Sequence, residues 1–193
     1  QIDRVPLGVC LGITPFNFPV MVPMWMWPMA VACGNTFVLK PSELDPLSTS
    51  MTIDLCKDAG FPAGVINLVH GGAEVAKALI AHKDIRAVSF VGSTHAGAEI
   101  YRDAAASGKR VQCMCGAKNH SLIMPDANRE AAVDGVLGSA FGNTGQRCLA
   151  GSVVVCIGDS ADWLVPSLVH AASKIRVGPG CEAGVGMGPL VSE

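Results

Sequence analysis

Residues 85–108, IRAVSFVGSTHAGAEIYRDAAASG, hold the pattern that decides the fold. Ile85–Val91 is a short run of β-branched and aromatic residues, the composition of a buried strand. It breaks at Gly92-Ser93, and from Thr94 to Ser107 the apolar residues return at helical spacing until Gly108 caps the run. A strand that turns directly into a helix is half of a βαβ unit, and the same pattern recurs on either side.

Upstream, Gly8–Thr14, Thr36–Lys40 and Val65–Val69 read as strands. They alternate with helices running from the Pro15–Pro19 turn to about Ala32, over Pro46–Ala59 and over Ala73–Ala81. Leu47, Met51, Ile53, Leu55 and Cys56 predict a broad apolar face on the second helix, which stops at Gly60. Downstream, Lys109–Cys115 reads as a fifth strand. The alternation predicts an α/β fold built on a doubly wound parallel sheet, its strands covered on both faces. Past Gly116 the rhythm changes to a strand at Ser121–Met124, a long helix at Asn128–Phe141, a strand at Val153–Ile157 and a helix near Ala161–Ile175. A domain boundary is therefore expected near Gly116–Ala117, dividing residues 1–116 from 117–193.

Half of the residues are hydrophobic, 16% are charged and 22 are Gly, a mix that suits buried parallel strands and tight turns. A net charge of −2 offers no basic surface to nucleic acid or anionic lipid. The eight cysteines are scattered through a chain too large to need stapling, and we read them as reduced thiols. No charge occurs from Val5 through Leu39, which raises the alternative of a membrane anchor. Pro15, Pro19, Pro23 and Pro28 recur through that run, with Thr14, Asn17, Gly34 and Asn35 among them. We therefore expect no membrane span but a helix buried on all sides, between the sheet and a second domain. The chain starts without Met and stops mid-pattern at Glu193, so both ends are expected to lie inside a longer parent.

Three stretches carry candidate chemistry. Gly92-Ser93-Thr94-His95-Ala96-Gly97 opens a helix, where free backbone N–H groups can face a phosphate. Its glycine spacing is not the three-glycine dinucleotide fingerprint, and an ordinary Ser- or Thr-capped turn reads the same way. Lys40-Pro41-Ser42-Glu43 ends a strand, the edge at which open α/β sheets bind ligands; a solvated loop with a capping acid is the bland alternative, and spacing alone favours it. Gly145-Gln146-Arg147-Cys148 places a thiol beside a cation among small residues, a setting that favours thiolate. Against that, a cysteine is more often a small buried hydrophobe. Cys113 and Cys115 lie on one face of their strand, where core packing is the better reading than metal binding; no metal site is expected. His70 and His120 are read as structural.

Taken together, the motifs resemble the aldehyde dehydrogenase superfamily. The residues that carry the resemblance, in order, are Pro15-Phe16-Asn17-Phe18-Pro19, Gly34-Asn35-Thr36 leading to Lys40-Pro41-Ser42-Glu43, Gly60–Asn67, Phe90–Thr94, Gly145–Cys148 and Gly188-Pro189-Leu190. Pro23–Ala30, Gly116-Ala117-Lys118-Asn119-His120 and Met124–Asn128 draw it closer to the CoA-acylating methylmalonate-semialdehyde dehydrogenase branch. The resemblance covers essentially the whole chain. It implies a Rossmann-like NAD-binding domain to about Gly116, followed by the start of an α/β catalytic domain.

By that resemblance, Cys148 is the nucleophile that forms a thiohemiacetal, and the Asn17 amide with the Cys148 backbone N–H holds its oxyanion. Collapse of that intermediate sends hydride to NAD and leaves a thioester on Cys148. Thr14 and Phe16 line the dinucleotide cleft, Lys40 and Glu43 hold the adenosine ribose, Ser93 meets the pyrophosphate, and Cys115 lies at the nicotinamide end. Arg147 resembles the residue that holds a substrate carboxylate, for which a guanidinium fork is well shaped. Two positions depart from the pattern. Hydrolytic members carry a Glu four residues before Lys118, where this chain has Met114; a thioether takes no proton, whereas coenzyme A, itself a thiol, needs little help to attack. Leu44 stands where close relatives carry Arg, which weakens a contact to the adenosine end or to CoA. The implied function is NAD-dependent, CoA-acylating oxidation of malonate or methylmalonate semialdehyde. A hydrolytic semialdehyde dehydrogenase and a non-catalytic, nucleotide-binding or oligomerising fragment are the alternatives. The implied parent is a homo-oligomer, a dimer of dimers, in the cytoplasm of a bacterium or the mitochondrial matrix of a eukaryote.

Overall fold

In the computed structural model, which describes residues 1–193, the expected α/β alternation is present. The elements run β1 (Val9–Ile13), α1 (Met21–Ala32), β2 (Thr36–Lys40), α2 (Leu47–Asp58), β3 (Ile66–Leu68), α3 (Ala73–Ala81), β4 (Ile85–Val91), α4 (Thr94–Ala106) and β5 (Arg110–Met114). All neighbouring strands pair in parallel, in the order β3-β2-β1-β4-β5. This is the doubly wound order, in which the chain reverses its direction of travel across the sheet between β1 and β4. The chain divides into two units, Gln1–Gly116 and Ala117–Glu193.

Strand alternation splits the first unit's core into two layers. Leu11, Ile13, Val88 and Phe90 face α3 and α4, where Ala76, Ile80, Ile100 and Ala104 meet them. Cys10, Phe37 and Leu39 face the other way, against Val22, Met26 and Trp27 of α1. The β1–β4 register slips between Val9 and Cys10, whose partners are Ile85 and Ala87. The extra residue, Arg86, lets Ile85 and Val88 share one face despite their odd spacing.

Three expectations are corrected. Helix α1 is not buried on all sides: Met24, Trp25 and Met29 are exposed, because only the stripe through Val22, Pro23, Met26 and Trp27 reaches the sheet. On α2, Leu47, Met51 and Leu55 form a stripe at four-residue spacing that points outward. The helix instead seats through Ile53, Cys56 and the buried Thr49. Edge strand β5 is covered on one face only: Val111 and Cys113 pack inward, while Arg110, Gln112 and Met114 are exposed.

In the second unit, β6 (Asn119–Ile123), α5 (Arg129–Phe141), β7 (Gly151–Cys156) and α6 (Ser160–Ala172) form one βαβ turn and a closing helix, with β6 and β7 parallel. Both strands begin two residues earlier than expected, since Asn119 already pairs with Gly151. Ile123, Val136, Trp163 and Leu164 make the core. The fully buried Ser160 donates its hydroxyl to the Ile123 carbonyl at 3.0 Å, and the Arg129 guanidinium lies 5.2 Å from the Trp163 ring centroid. No helix of the protein is long and apolar enough to cross a membrane.

Candidate active site

The carboxyl ends of the five parallel strands bring most of the first unit's candidate residues to one edge. Thr14, Phe16 and Asn17 follow β1, Lys40 ends β2 with Glu43 and Leu44 after it, Ser93 follows β4, and Cys115 follows β5. The crevice between β1 and β4 is the switch point at which such sheets bind ligands.

Thr14 sits at that point, 4% exposed, its N–H bonded to the Lys40 carbonyl at 3.1 Å. Its buried hydroxyl has no partner within the protein. A buried hydroxyl left unsatisfied costs about 1–3 kcal/mol, so a ligand atom that reaches it gains that much. Phe16 and Asn17 are half-buried on the following turn. That turn is held by Thr49 of α2, whose hydroxyl donates to the Pro19 carbonyl at 2.6 Å.

Lys40 has a buried ammonium that donates to the Pro41 carbonyl at 2.8 Å, the Gly71 carbonyl at 2.6 Å and Glu43 Oε2 at 3.3 Å. It therefore ties the end of β2 to the turn after β3. The Lys40 side chain is 5% exposed and that of Glu43 57%. The Glu43 carboxyl is held below the ordinary carboxylate value, first by a hydrogen bond from its own backbone N–H and, against the cost of burial, by the Lys40 charge. One partner of this pair is structural and buried, while the other presents an ionised carboxylate to solvent. Leu44 is exposed, its N–H bonded to Ser42 Oγ at 3.2 Å. His70 lies 3.4 Å from Ser50 Oγ, and His120 Nδ1 2.9 Å from the Lys118 carbonyl.

Ser93 caps α4: its Oγ accepts the Ala96 N–H at 3.2 Å. The side chain thus takes the capping role that the sequence left open, and backbone N–H groups remain at the helix start. One turn on, Gly97 lets α4 approach β5 so closely that a Cβ there would stand 2.3 Å from Cys115 Sγ. Cys115 and Cys113 pack against the same core layer, and burial pushes the Cys113 thiol above the ordinary value, with Cys115 adding to the effect. Met114, between them, faces the other way and is 38% exposed.

In the second unit, Arg147 and Cys148 are both exposed, on the loop between α5 and β7. Asn119 at the start of β6 clamps this loop: its amide donates to the Cys148 carbonyl at 2.9 Å and the Ala150 carbonyl at 3.0 Å. Upstream, Asn143 (φ 52°, ψ 38°), Thr144 (φ 56°, ψ 33°) and Gly145 (φ 71°) form a single left-handed turn. For residues with a Cβ that conformation costs about 1–2 kcal/mol each, and for a β-branched residue it is rare. The turn is secured from the chain's C-terminal segment. Thr144 Oγ1 donates to the Gly188 carbonyl at 2.8 Å, and Gln146 Oε1 accepts the Val191 N–H at 3.3 Å. The Arg147 guanidinium lies against Gly142, where a Cβ would meet its Cζ at 2.7 Å. No cluster of three or more His, Cys, Asp or Glu side chains is placed to hold a metal ion.

Three residues that shape these loops escaped the sequence reading: Thr49, Asn119 and Thr144. Each acts on a partner about 30 or more positions away; Asn119 was read only as part of the Gly116–His120 motif, and Thr49 and Thr144 only as polar residues.

The family model described as the aldehyde dehydrogenase family matches residues 1–193. The chain belongs to the aldehyde dehydrogenase family. It is 56% identical over 190 residues to malonate-semialdehyde dehydrogenase 2 of Geobacillus thermodenitrificans strain NG80-2, covering 98% of this chain and 39% of that protein. Among solved structures, a methylmalonate-semialdehyde dehydrogenase from Oceanimonas doudoroffii matches with a TM-score of 0.94 at 53% identity, over 96% of this chain and 38% of that one. A candidate methylmalonate-semialdehyde dehydrogenase from Sinorhizobium meliloti 1021, solved with NAD, matches with a TM-score of 0.95 at 47% identity, over 98% of this chain and 39% of that one. The chain thus spans about two-fifths of the length of the relatives it matches.

Proposed function

We propose that the full-length aldehyde dehydrogenase containing this chain is an NAD-dependent, CoA-acylating dehydrogenase of malonate or methylmalonate semialdehyde. Residues 1–116 would be part of its NAD-binding domain and 117–193 the start of its catalytic domain. The observation that carries the acylating half is Met114. The position from which hydrolytic members activate water ends β5 in a thioether, which accepts no proton. The names of the similar proteins, malonate- and methylmalonate-semialdehyde dehydrogenases, support the substrate class.

The first unit suits a dinucleotide on its own residues. The unpartnered Thr14 hydroxyl lies at the switch point, the α4 N-terminus is open to a phosphate, and the Glu43 carboxylate is ionised and exposed for ribose hydroxyls. Phe16 would line the cleft, Lys40 would brace the ribose end, and Cys115 would lie toward the nicotinamide, with Ser93 acting through the α4 turn it caps. NAD, when bound, accepts the hydride that leaves the substrate carbon.

Cys148, exposed on its clamped loop, would attack the aldehyde carbon. Its backbone N–H and the Asn17 amide would hold the resulting oxyanion, each such donor contributing roughly 3–4 kcal/mol. Oxidation would leave an acyl group on Cys148 Sγ. With Met114 unable to activate water, the thiol of CoA would displace it, and the substrate carboxylate would leave as carbon dioxide. Arg147, exposed beside Cys148, would bind that carboxylate through its guanidinium fork until it departs. Leu44 offers no charge to CoA or to the adenosine end.

Cys148→Ala tests the nucleophile: NADH formation in the full-length protein should vanish while calorimetry shows NAD affinity within threefold of the unmodified protein. A loss of NAD affinity beyond about tenfold, roughly 1.4 kcal/mol, would make the residue structural. Arg147→Leu should raise KM for carboxylate-bearing semialdehydes by tenfold or more and leave propanal nearly unchanged, since a charge-assisted bond is worth roughly 1.5–3 kcal/mol. Equal losses on both substrates would remove Arg147 from the substrate site.

A further inference from the structure

The left-handed turn at Asn143–Gly145 lies three residues ahead of Cys148, and its geometry calls for an explanation that the chemistry above does not supply. Neither Asn143 nor Thr144 is a glycine, and Thr144 is β-branched, the kind of residue least suited to positive φ. Such a conformation persists only where the surroundings over-determine it. Here the holding contacts are visible. The Thr144 hydroxyl donates to the Gly188 carbonyl at 2.8 Å and lies 3.5 Å from that of Pro189, 44 and 45 residues away. Two residues on, the Gln146 side chain spans the same strap: Oε1 accepts the Val191 N–H at 3.3 Å and Nε2 donates back to the Asn143 carbonyl at 3.3 Å. Downstream of the thiol, the Asn119 amide fixes the carbonyls of Cys148 and Ala150. The nucleophile's backbone is therefore pinned on both sides, and the upstream pin is the one that holds a strained turn in place.

We infer that Thr144 is a positioning residue for Cys148: its hydroxyl, tethered to the Gly188–Pro189 strap, maintains the left-handed turn that fixes where the Cys148 backbone and thiol stand. The inference rests on the reading of Cys148 as nucleophile. It assigns Gly188–Val191 a task as well, that of a strap across the nucleophile loop. Thr144 touches no reacting atom. Its effect falls on turnover because a displacement of about 1 Å at the reacting centre costs as much as 10²-fold.

The test uses the full-length protein with Thr144→Val, which keeps the shape and removes the donor, and Thr144→Ser, which restores it. Thr144→Gly adopts positive φ freely but has no tether, and stands in if the Val variant folds poorly. Thr144→Val and Thr144→Gly should lower kcat about tenfold or more, with KM for aldehyde and Kd for NAD within twofold. Cys148 should still take up one equivalent of iodoacetamide, and Thr144→Ser should stay within twofold of the unmodified protein throughout. Val and Gly variants that turn over at the unmodified rate would overturn the inference. So would a Ser variant that fails as badly as Val, or losses that fall equally on kcat and NAD affinity. A Cys148→Ala protein that still turns over would instead bring down the nucleophile reading itself.

Discussion

Replacing Lys40 by Met separates the buried partner of the Lys40–Glu43 pair from the exposed one. Met has nearly the length of Lys but no donor, so the Pro41 and Gly71 carbonyls lose bonds of 2.8 and 2.6 Å. Bonds from a charged donor contribute about 1.5–3 kcal/mol each. Removing a buried ammonium recovers part of its desolvation cost, and the Glu43 contact, more than half exposed, adds less than about 1 kcal/mol. The net loss should be about 2–4 kcal/mol. Urea titration followed by Trp25 and Trp27, which both lie in the first unit, reads it in a Trp163→Phe background. With a slope of about 1–3 kcal/mol per molar, the midpoint should fall by roughly 1–2 M at unchanged slope. Glu43→Gln should cost less than about 1 kcal/mol but weaken NAD, because its exposed carboxylate faces ligand rather than core. A Lys40→Met loss below about 0.5 kcal/mol would refute the bracing role. A stability loss with unchanged NAD affinity would confine Lys40 to architecture.

Gly97→Ala should destabilise the protein by about 1–2 kcal/mol, since a Cβ 2.3 Å from Cys115 Sγ costs more than the roughly 1 kcal/mol that Ala gains in a helix. Adding Cys115→Ala should recover at least half of that in the same urea titration, and a Gly97→Ala protein as stable as the original would show that the contact yields freely. Burial pushes the thiols of Cys10, Cys56 and Cys113 above their ordinary value. They ionise at higher pH in the fold than in the unfolded chain, which ionises near pH 8.5, so their contribution is intact below that pH and is lost as pH rises through their folded values. Lys109, whose ammonium is pushed down by burial and then by Arg86, runs the other way. The decisive comparison is therefore the triple Ala variant at these cysteines, whose urea midpoint should fall less between pH 7 and pH 10 than that of the original; identical slopes would contradict the burial effect.

Strands and helices were legible because their periods, two and 3.6, are written in the residue order, and the β1-to-β5 alternation leaves few other ways to wind a parallel sheet. The candidate site was read from motifs: Cys148 and Arg147 stand out as a thiol beside a cation, whereas Lys40 and Glu43, which spacing alone left as a solvated loop, took their roles from the resemblance. What stayed hidden is the work of pairs distant in sequence. A stripe such as Leu47-Met51-Leu55 announces amphipathicity but not which side meets the sheet, and Thr49, a polar residue, took the buried place through its bond to Pro19. Lys40 read as a ligand grip, yet its ammonium is also spent on Gly71, 31 residues away. The left-handed turn at Asn143-Thr144 puts positive φ on two residues that are not glycine and is sustained by Gly188. Ser93 carried two readings; it caps the helix, a role compatible with a phosphate at the same helix start.

The proposed function turns on Met114, and rapid mixing of the full-length protein with NAD and malonate semialdehyde tests it most directly. If no base stands in for the missing Glu, acylation of Cys148 proceeds and its release stalls. Absorbance at the NADH band should then rise in a burst approaching one equivalent per Cys148 without CoA, and continue through many turnovers once CoA is added. Met114→Glu should lift the CoA-free rate toward the 10²–10⁴-fold of a well-placed base, because position 114 is exposed at the end of β5 and a carboxylate there ionises readily. Rapid multiple turnovers without CoA in the unmodified protein would contradict the acylating assignment.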